Sequence, residues 1–206
     1  MTIELTDRVV LTDRIEMADR IEKAESRELT LDYLFERLEQ MPVPEGYKVE
    51  IVKGAIFMSP QRRNHWDTIT AVYEQLRAQY ARKRLTSDVR FDFPGLNGFC
   101  PDLVALKEDA KADDKGRCRP EDMEFVLEVI SKSTAANDYG DKKEVYAEAE
   151  VPVYLIVDPY TGRCHLHTHP KGGEYLSELK VAFGEPIDLT DTVVKLTLTT
   201  DEFSRG

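Results

Sequence analysis

Hydrophobic positions recur along this chain at steps of three and four in some stretches and of two in others, and those changes of period lay out its elements. Between Leu29 and Met41, the residues Leu31, Leu34, Phe35 and Leu38 keep helical spacing, with Thr30 as N-cap and MPVPEGY as the stop. KVEIVKGAIFMSP then reads as two short strands about a Lys53-Gly54 turn, a hairpin that carries Glu50 among apolar neighbours. From His65 to Tyr80, the positions Ile69, Val72, Tyr73, Leu76 and Tyr80 return to steps of three and four, which predicts an amphipathic helix. Three strand candidates follow, DVRFDFP, GFCPDLVAL and EFVLEVIS, the last two separated by a polar loop from Lys107 to Asp122. The pattern predicts a further helix over Asp138 to Glu150 and a buried strand in PVYLIVD. Together with EFVLEVIS these form a crossover unit, whose two strands run parallel if they share a sheet. Short strands and turns fill the tail from His165 to Phe203.

The first 28 residues follow neither period. LTDRVV, LTDRIE and MADRIE succeed one another from Leu5 to Glu22, and a step of six residues turns through about 600° on a helix, so the repeat builds no single apolar face. The favoured reading is a charged, loosely ordered arm over 1–28 ahead of a single domain over 29–206. A helix packed on the domain or on a second subunit is the alternative.

Composition narrows the class. With 206 residues, 41% hydrophobic and 33% charged, the chain is long enough and apolar enough for one globular domain with a sizeable core. No apolar stretch approaches the roughly 18 residues of a membrane span, and the N-terminus carries acids where a signal peptide needs an apolar core. A cytoplasmic protein with no membrane partner is expected. Cys100, Cys118 and Cys164 are odd in number and widely spaced, which argues against a disulfide framework and a Cys-x-x-Cys zinc site. A formal net charge of -11 opposes general attraction to a polyphosphate.

Chemistry concentrates in three residues. Glu128 lies within the apolar run EFVLEVIS, on the face of Val126 and Ile130, so it either reaches solvent at a strand end or needs a cation, a donor network or a proton. Asp102 follows Pro101 where the apolar run LVAL begins; alone it is an ordinary strand-start acid. Two acids on neighbouring strands can converge on a divalent cation. Lys142 shares a stripe with Tyr139, Tyr146 and Ala149, and either faces the sheet or snorkels to the surface along its stem. Facing inward, it can orient a water nucleophile or stabilise a phosphate in its transition state.

These runs, PDLVAL, then EVISKST, then NDYGDKKEVYAEAEVPVYLIVDP, resemble the Uma-two family of putative restriction endonucleases, within the PD-(D/E)xK nuclease superfamily. Upstream, KVEIVKGAIFMSPQRRNH is similar to that family's Glu, Gly, Met-Ser-Pro and His pattern, so the resemblance spans roughly Leu29 to Asp158. It implies an α/β restriction-endonuclease-like core, a mixed sheet flanked by helices. It also implies Mg²⁺, for which Mn²⁺ can substitute, bound by Asp102, Glu128 and the Val129 carbonyl, with Glu50 as a further acid near the metal. Ile130 stands where the superfamily pattern has its lysine, and the resemblance implies that the role has passed to Lys142. His65 then contacts a phosphate, positions Glu50 or is merely structural, and Asp138, four residues before Lys142, supports it.

Other residues carry less chemistry. His165, His167 and His169 would share one face of a strand, for which a solvated edge is the better reading than a metal array. Between residues 61 and 90, seven basic residues stand against three acidic ones; Arg62, Arg63, Arg82, Lys83 and Arg84 are the candidates for nucleic-acid contact, with a solvated helix face as the alternative. The expected function is metal-dependent hydrolysis of phosphodiester bonds, with DNA favoured over RNA and a homodimer suited to cutting two strands. The rival is a catalytically silent nuclease fold that binds nucleic acid or protein.

Overall fold

The structure is a computed structural model describing residues 29–43 and 45–206; the arm expected over 1–28 lies outside them. Two compact units divide between Met41 and Pro42. In the first, helix α1 (Leu31–Glu39) forms where the periodicity predicts it, and the Thr30 hydroxyl accepts the Tyr33 N–H at 3.2 Å as its N-cap.

The second unit opens with the expected hairpin, β1 (Tyr47–Val52) and β2 (Ala55–Pro60). Lys53 and Gly54 both take positive φ, 49° and 79°, the two left-handed residues that a tight primed turn requires. Helix α2 (Arg63–Leu76) follows; it starts before the expected His65 and ends about one turn before the expected Tyr80. Next come β3 (Leu85–Thr86), β4 (Phe91–Phe93), β5 (Asn97–Phe99), β6 (Leu103–Leu106) and β7 (Met123–Val129). Helices α3 (Ala135–Tyr139) and α4 (Asp141–Glu148) lead to β8 (Val153–Asp158), β9 (Arg163–Lys171), β10 (Glu174–Ala182) and the small pair β11 (Ile187–Asp188) and β12 (Thr197–Leu198). The class is mixed α/β, as expected.

Six strands form the main sheet in the order β10-β9-β8-β7-β6-β3, and β2-β1-β5-β4 form a second sheet. The crossover unit is confirmed, since β7 and β8 pair in parallel with Glu128 opposite Ile156. Both strands are buried along almost their whole length, because each face of the sheet carries a core. Phe125, Leu127 and Val129 pack with Ile69, Val72 and Leu76 of α2 on one face. Val126, Ile130 and Ile156 pack with Val145 and Tyr146 of α4, and with Phe91, Phe93 and Phe99 of the second sheet, on the other.

Three expectations need correction. GFCPDLVAL is not one strand: it breaks at Cys100-Pro101-Asp102, giving β5 to the second sheet and β6 to the main one. Pro101 has no N–H to add to a ladder, and the break turns Asp102 inward. The helix over Asp138 to Glu150 is instead two helices that meet at Gly140. A Cβ there would stand 2.9 Å from the Ala136 carbonyl oxygen, so only glycine lets the chain turn so sharply. Finally, β9 is not an edge strand, because it lies between β8 and β10. His165 is half-buried, His167 is buried and His169 is exposed, so the three do not form an array.

Among the described residues no helix is long and apolar enough to cross a membrane.

His167 stacks on Tyr154, with ring centroids 5.9 Å apart, and lies 5.7 Å from Tyr175. Burial pushes its imidazole down to about 4, against the pull of Glu178. A histidine whose folded pKa is depressed stabilises the fold fully above its unfolded value, about 6.5, and that contribution is lost as pH falls toward 4. Urea denaturation of wild type and His167→Phe between pH 7.5 and pH 4 checks this: the wild type is expected to lose stability over that window more steeply than the variant.

Candidate active site

A strand of period two places Lys48 and Glu50 on one face of β1. Asp102 stands just before β6, whose register sets Leu103 opposite Leu127, so its carboxylate arrives level with Glu128 and Val129 of β7. Lys142 comes from the first turn of α4, immediately after the Gly140 break. These elements bring together Glu50, Asp102, Glu128, Asp138 and Lys142, all expected, and Lys48, which was not.

Asp102 and Glu128 each give one oxygen to a donor of the frame and turn the other to Lys48, while Glu50 and Asp138 turn to Lys142. Asp102 Oδ2 accepts the Val129 N–H at 2.7 Å, and Oδ1 meets Lys48 Nζ at 2.6 Å. Glu128 Oε1 accepts the Tyr146 hydroxyl at 2.8 Å and meets Lys142 Nζ at 2.6 Å, while Oε2 lies 3.3 Å from Lys48 Nζ. Glu50 Oε1 takes the Cys100 N–H at 2.8 Å, and both its oxygens lie 3.1 Å from Lys142 Nζ. Asp138 Oδ1 completes the Lys142 shell at 3.1 Å, so the expected support holds across the helix break. Lys142 is therefore an inward lysine and not a snorkelling one.

Four carboxylates thus share two ammonium groups, a formal charge of -2 in a buried site. Its protonation is uneven. Burial, then Glu50 and Asp102, push the Glu128 carboxyl up to about 8 against the pull of Lys142 and Lys48. Burial likewise raises Asp138, although Lys142 opposes it. Burial also disfavours the charge of Glu50 and Asp102, yet both are held below the usual carboxylate range, Glu50 by Lys142 and Lys48 and Asp102 by Lys48 and the Val129 N–H. The two lysines keep their protons, because the surrounding acids outweigh burial.

A narrow cleft with about 10 Å³ of room, roughly the space of one water molecule, opens between these groups and is lined also by Ser59, Gln61 and His65. His65 is buried, and its Nε2 has no hydrogen-bond partner among the described residues. Burial lowers its pKa, reinforced by Lys48 and Arg62 against Asp102, so it is neutral at pH 7.

Hard carboxylate oxygens in a site short of two positive charges fit a divalent cation such as Mg²⁺. No three Asp, Glu, His or Cys side chains among the described residues form a ready-made cage, because the carboxylates converge on lysines instead.

The basic candidates separate. Arg62 and Arg63 are exposed at the start of α2 beside the cleft residue His65, and Arg82 and Lys83 are exposed in a 3-10 turn. Arg84 is committed to the fold: its Nε donates to the Leu106 carbonyl at 2.7 Å, it pairs with Glu124 at 2.9 Å and it covers the Tyr80 ring. Lys48 is the residue that sequence reasoning missed. The signal was present in KVE, where period two puts it on the face of Glu50.

Comparison with known proteins bears on the family and the fold. A family model, Uma2, described as putative restriction endonuclease, matches residues 35–201. The fold is similar to the crystal structure of a putative nuclease belonging to DUF820 from Anabaena variabilis ATCC 29413. That match has a TM-score of 0.64 and 12% identity over 85% of this chain and 97% of the other. No curated protein matches.

The charge count makes opposite substitutions diverge. Lys142→Met leaves three buried carboxylates without their shared partner and is expected to cost about 3–5 kcal/mol. Glu128→Gln removes one excess acid and is expected to leave stability unchanged or higher. Denaturant unfolding of both variants without added metal checks the pair.

Proposed function

This chain belongs to the Uma2 family of putative restriction endonucleases, and from that premise we propose that it is a metal-dependent endonuclease that hydrolyses DNA in the cytoplasm. The observation that carries the reading is the approach of Asp102 Oδ1 and Glu128 Oε2 to a single cation in a buried site of formal charge -2. Asp102, Glu128 and the Val129 carbonyl would hold Mg²⁺ or Mn²⁺. A divalent ion in such a place lowers the pKa of water and offsets phosphate charge.

The chain's own residues do the rest. The Val129 N–H and the Tyr146 hydroxyl aim the two ligand carboxylates. Lys142, only 1% exposed and held by Glu50, Glu128 and Asp138, acts as a positioning residue. This role is narrower than direct stabilisation of the phosphate, because its ammonium is enclosed by carboxylates. His65 Nε2, neutral and without a hydrogen-bond partner among the described residues, can accept a proton from a water in the cleft. Arg62, Arg63, Arg82 and Lys83 supply exposed positive charge for the phosphate backbone, consistent with DNA or, as the alternative, RNA. A homodimer would bring the second site that cutting both strands requires.

A second reading, a silent nuclease fold that binds nucleic acid or protein, draws on the absent strand lysine at Ile130 and on Lys48 standing between the metal ligands.

Cleavage of plasmid DNA tests the first reading. Wild type with Mg²⁺ is expected to cut, and Asp102→Asn, or removal of metal by chelation, to lower the rate at least about 100-fold; equal rates in all three conditions would sink it. Binding has its own reporter, since the single tryptophan, Trp66, is 61% exposed and lies one helical turn from Arg62. Its fluorescence is expected to change on adding an oligonucleotide in calcium or without metal. The response should weaken in Arg62→Ala/Arg63→Ala and with rising salt.

A further inference from the structure

We infer that Lys48 is the internal counter-cation of the metal site: its ammonium sits between the two ligand carboxylates, a divalent ion must displace it, and it thereby sets the affinity of the site for metal. The inference rests on the proposed metal site and goes beyond it, because neither the resemblance to the family nor the sequence pattern assigns this lysine a role.

The geometry is specific to Lys48. Asp102 and Glu128 each spend one oxygen on the frame, on the Val129 N–H and on Tyr146 with Lys142, and turn the other toward the same point. That point is occupied by Lys48 Nζ, at 2.6 Å from Asp102 Oδ1 and 3.3 Å from Glu128 Oε2. Asp102 and Glu128, the residues that would hold a divalent ion, would offer it these same two oxygens. Ammonium and metal therefore compete for one pair of acceptors. A single positive charge answers them less completely than a double one, so the exchange favours the metal but at reduced strength.

The two lysines are not equivalent in this respect. Lys142 is 1% exposed on its side chain and is fixed by three carboxylates, two of which, Glu50 and Asp138, belong to neither of the paired ligand oxygens. Lys48 is 9% exposed on its side chain, and the cleft it lines also reaches Ser59 and Gln61. Lys142 stays as part of the frame, while Lys48, the more exposed of the two and lining the cleft, is the one whose ammonium can give way. Moved from between the acids, its ammonium stays beside the cleft as a partner for an anionic group such as a phosphate.

The test is calorimetric titration of Mn²⁺ into wild type, Lys48→Met and Lys48→Arg, with thermal unfolding of each in chelator and in saturating Mn²⁺. Lys48→Met is expected to bind Mn²⁺ at least ~10-fold more tightly than wild type, because nothing competes for the two oxygens. Lys48→Arg keeps the charge and is expected to bind no more tightly than wild type. In chelator Lys48→Met is expected to melt below wild type, and Mn²⁺ to raise its melting temperature by more than it raises that of wild type. If Lys48→Met is unfolded in chelator, its recovery by Mn²⁺ supplies the same measurement.

Equal or weaker Mn²⁺ binding by Lys48→Met, or failure of Mn²⁺ to restore its fold, overturns the role of Lys48 while binding by wild type keeps the metal site standing. Absence of Mn²⁺ binding in every protein overturns the metal site itself and this inference with it.

Discussion

Everything distinctive in this protein follows from placing four carboxylates in one buried space with two ammonium groups to answer them. A buried carboxylate without a partner is costly enough to be neutralised by a proton, and a cluster with surplus acids distributes that burden unevenly. Glu50 and Asp102 remain ionised because each has a lysine and a backbone N–H on the same carboxylate. Glu128, which accepts no backbone N–H among the described residues and has two acids beside it, is the group driven toward the protonated form. Such a cluster is poorly suited to stabilising a fold and well suited to receiving a divalent cation. That asymmetry is the physical reason for regarding it as a functional site and not a structural ion-pair network.

The architecture around the cluster holds it in register. A parallel pair of strands buried on both faces fixes Glu128 at mid-sheet, and the antiparallel partner β6 delivers Asp102 beside it. The second sheet contributes Lys48 and Glu50 from one face of a single strand. The remaining lysine depends on Gly140, where the chain reverses closely enough that a side chain would meet the Ala136 carbonyl. Asp138 and Lys142 therefore sit on two different helices yet meet at 3.1 Å. Aromatic rings close the site: Phe99 and Tyr146 pack edge to face, and the Lys142 ammonium lies 5.5 Å from the Phe99 ring centroid.

The parts of this arrangement that were legible in the chain are those where one residue breaks a strong local pattern. An acid inside EFVLEVIS and a lysine on an aromatic stripe both conflict with their surroundings, and such conflicts mark function. The hairpin, its Lys53-Gly54 turn and the parallel crossover were legible for the opposite reason, since local signals and tertiary need agree there. Lys48 was hidden because a lysine near the start of a strand is ordinary until its neighbours in space are known. Arg84 was misleading for the same reason: a run of three basic residues looks like one surface, and only tertiary contacts with Glu124, Leu106 and Tyr80 separate it from Arg82 and Lys83. The Gly140 break and the division of GFCPDLVAL between two sheets depend on close approaches and pairings far along the chain, which no local period encodes.

The net charge of -11 first stood against a nucleic-acid substrate, and the site changes what that charge means. Part of it is the surplus of the cluster, formally two carboxylates beyond its two lysines, of which Glu128 is the one driven toward the protonated form. On the proposed reading, an ion-free cleft would oppose a phosphate at its centre, while the exposed basic residues beside it would still attract the rest of the backbone. A divalent ion held there would remove that opposition. Exposed Arg62 and Arg63 then stand beside a site that no longer opposes them. On that reading metal and phosphate binding would be coupled through one local charge, and an acidic protein would need no broadly basic surface to act on a polyanion.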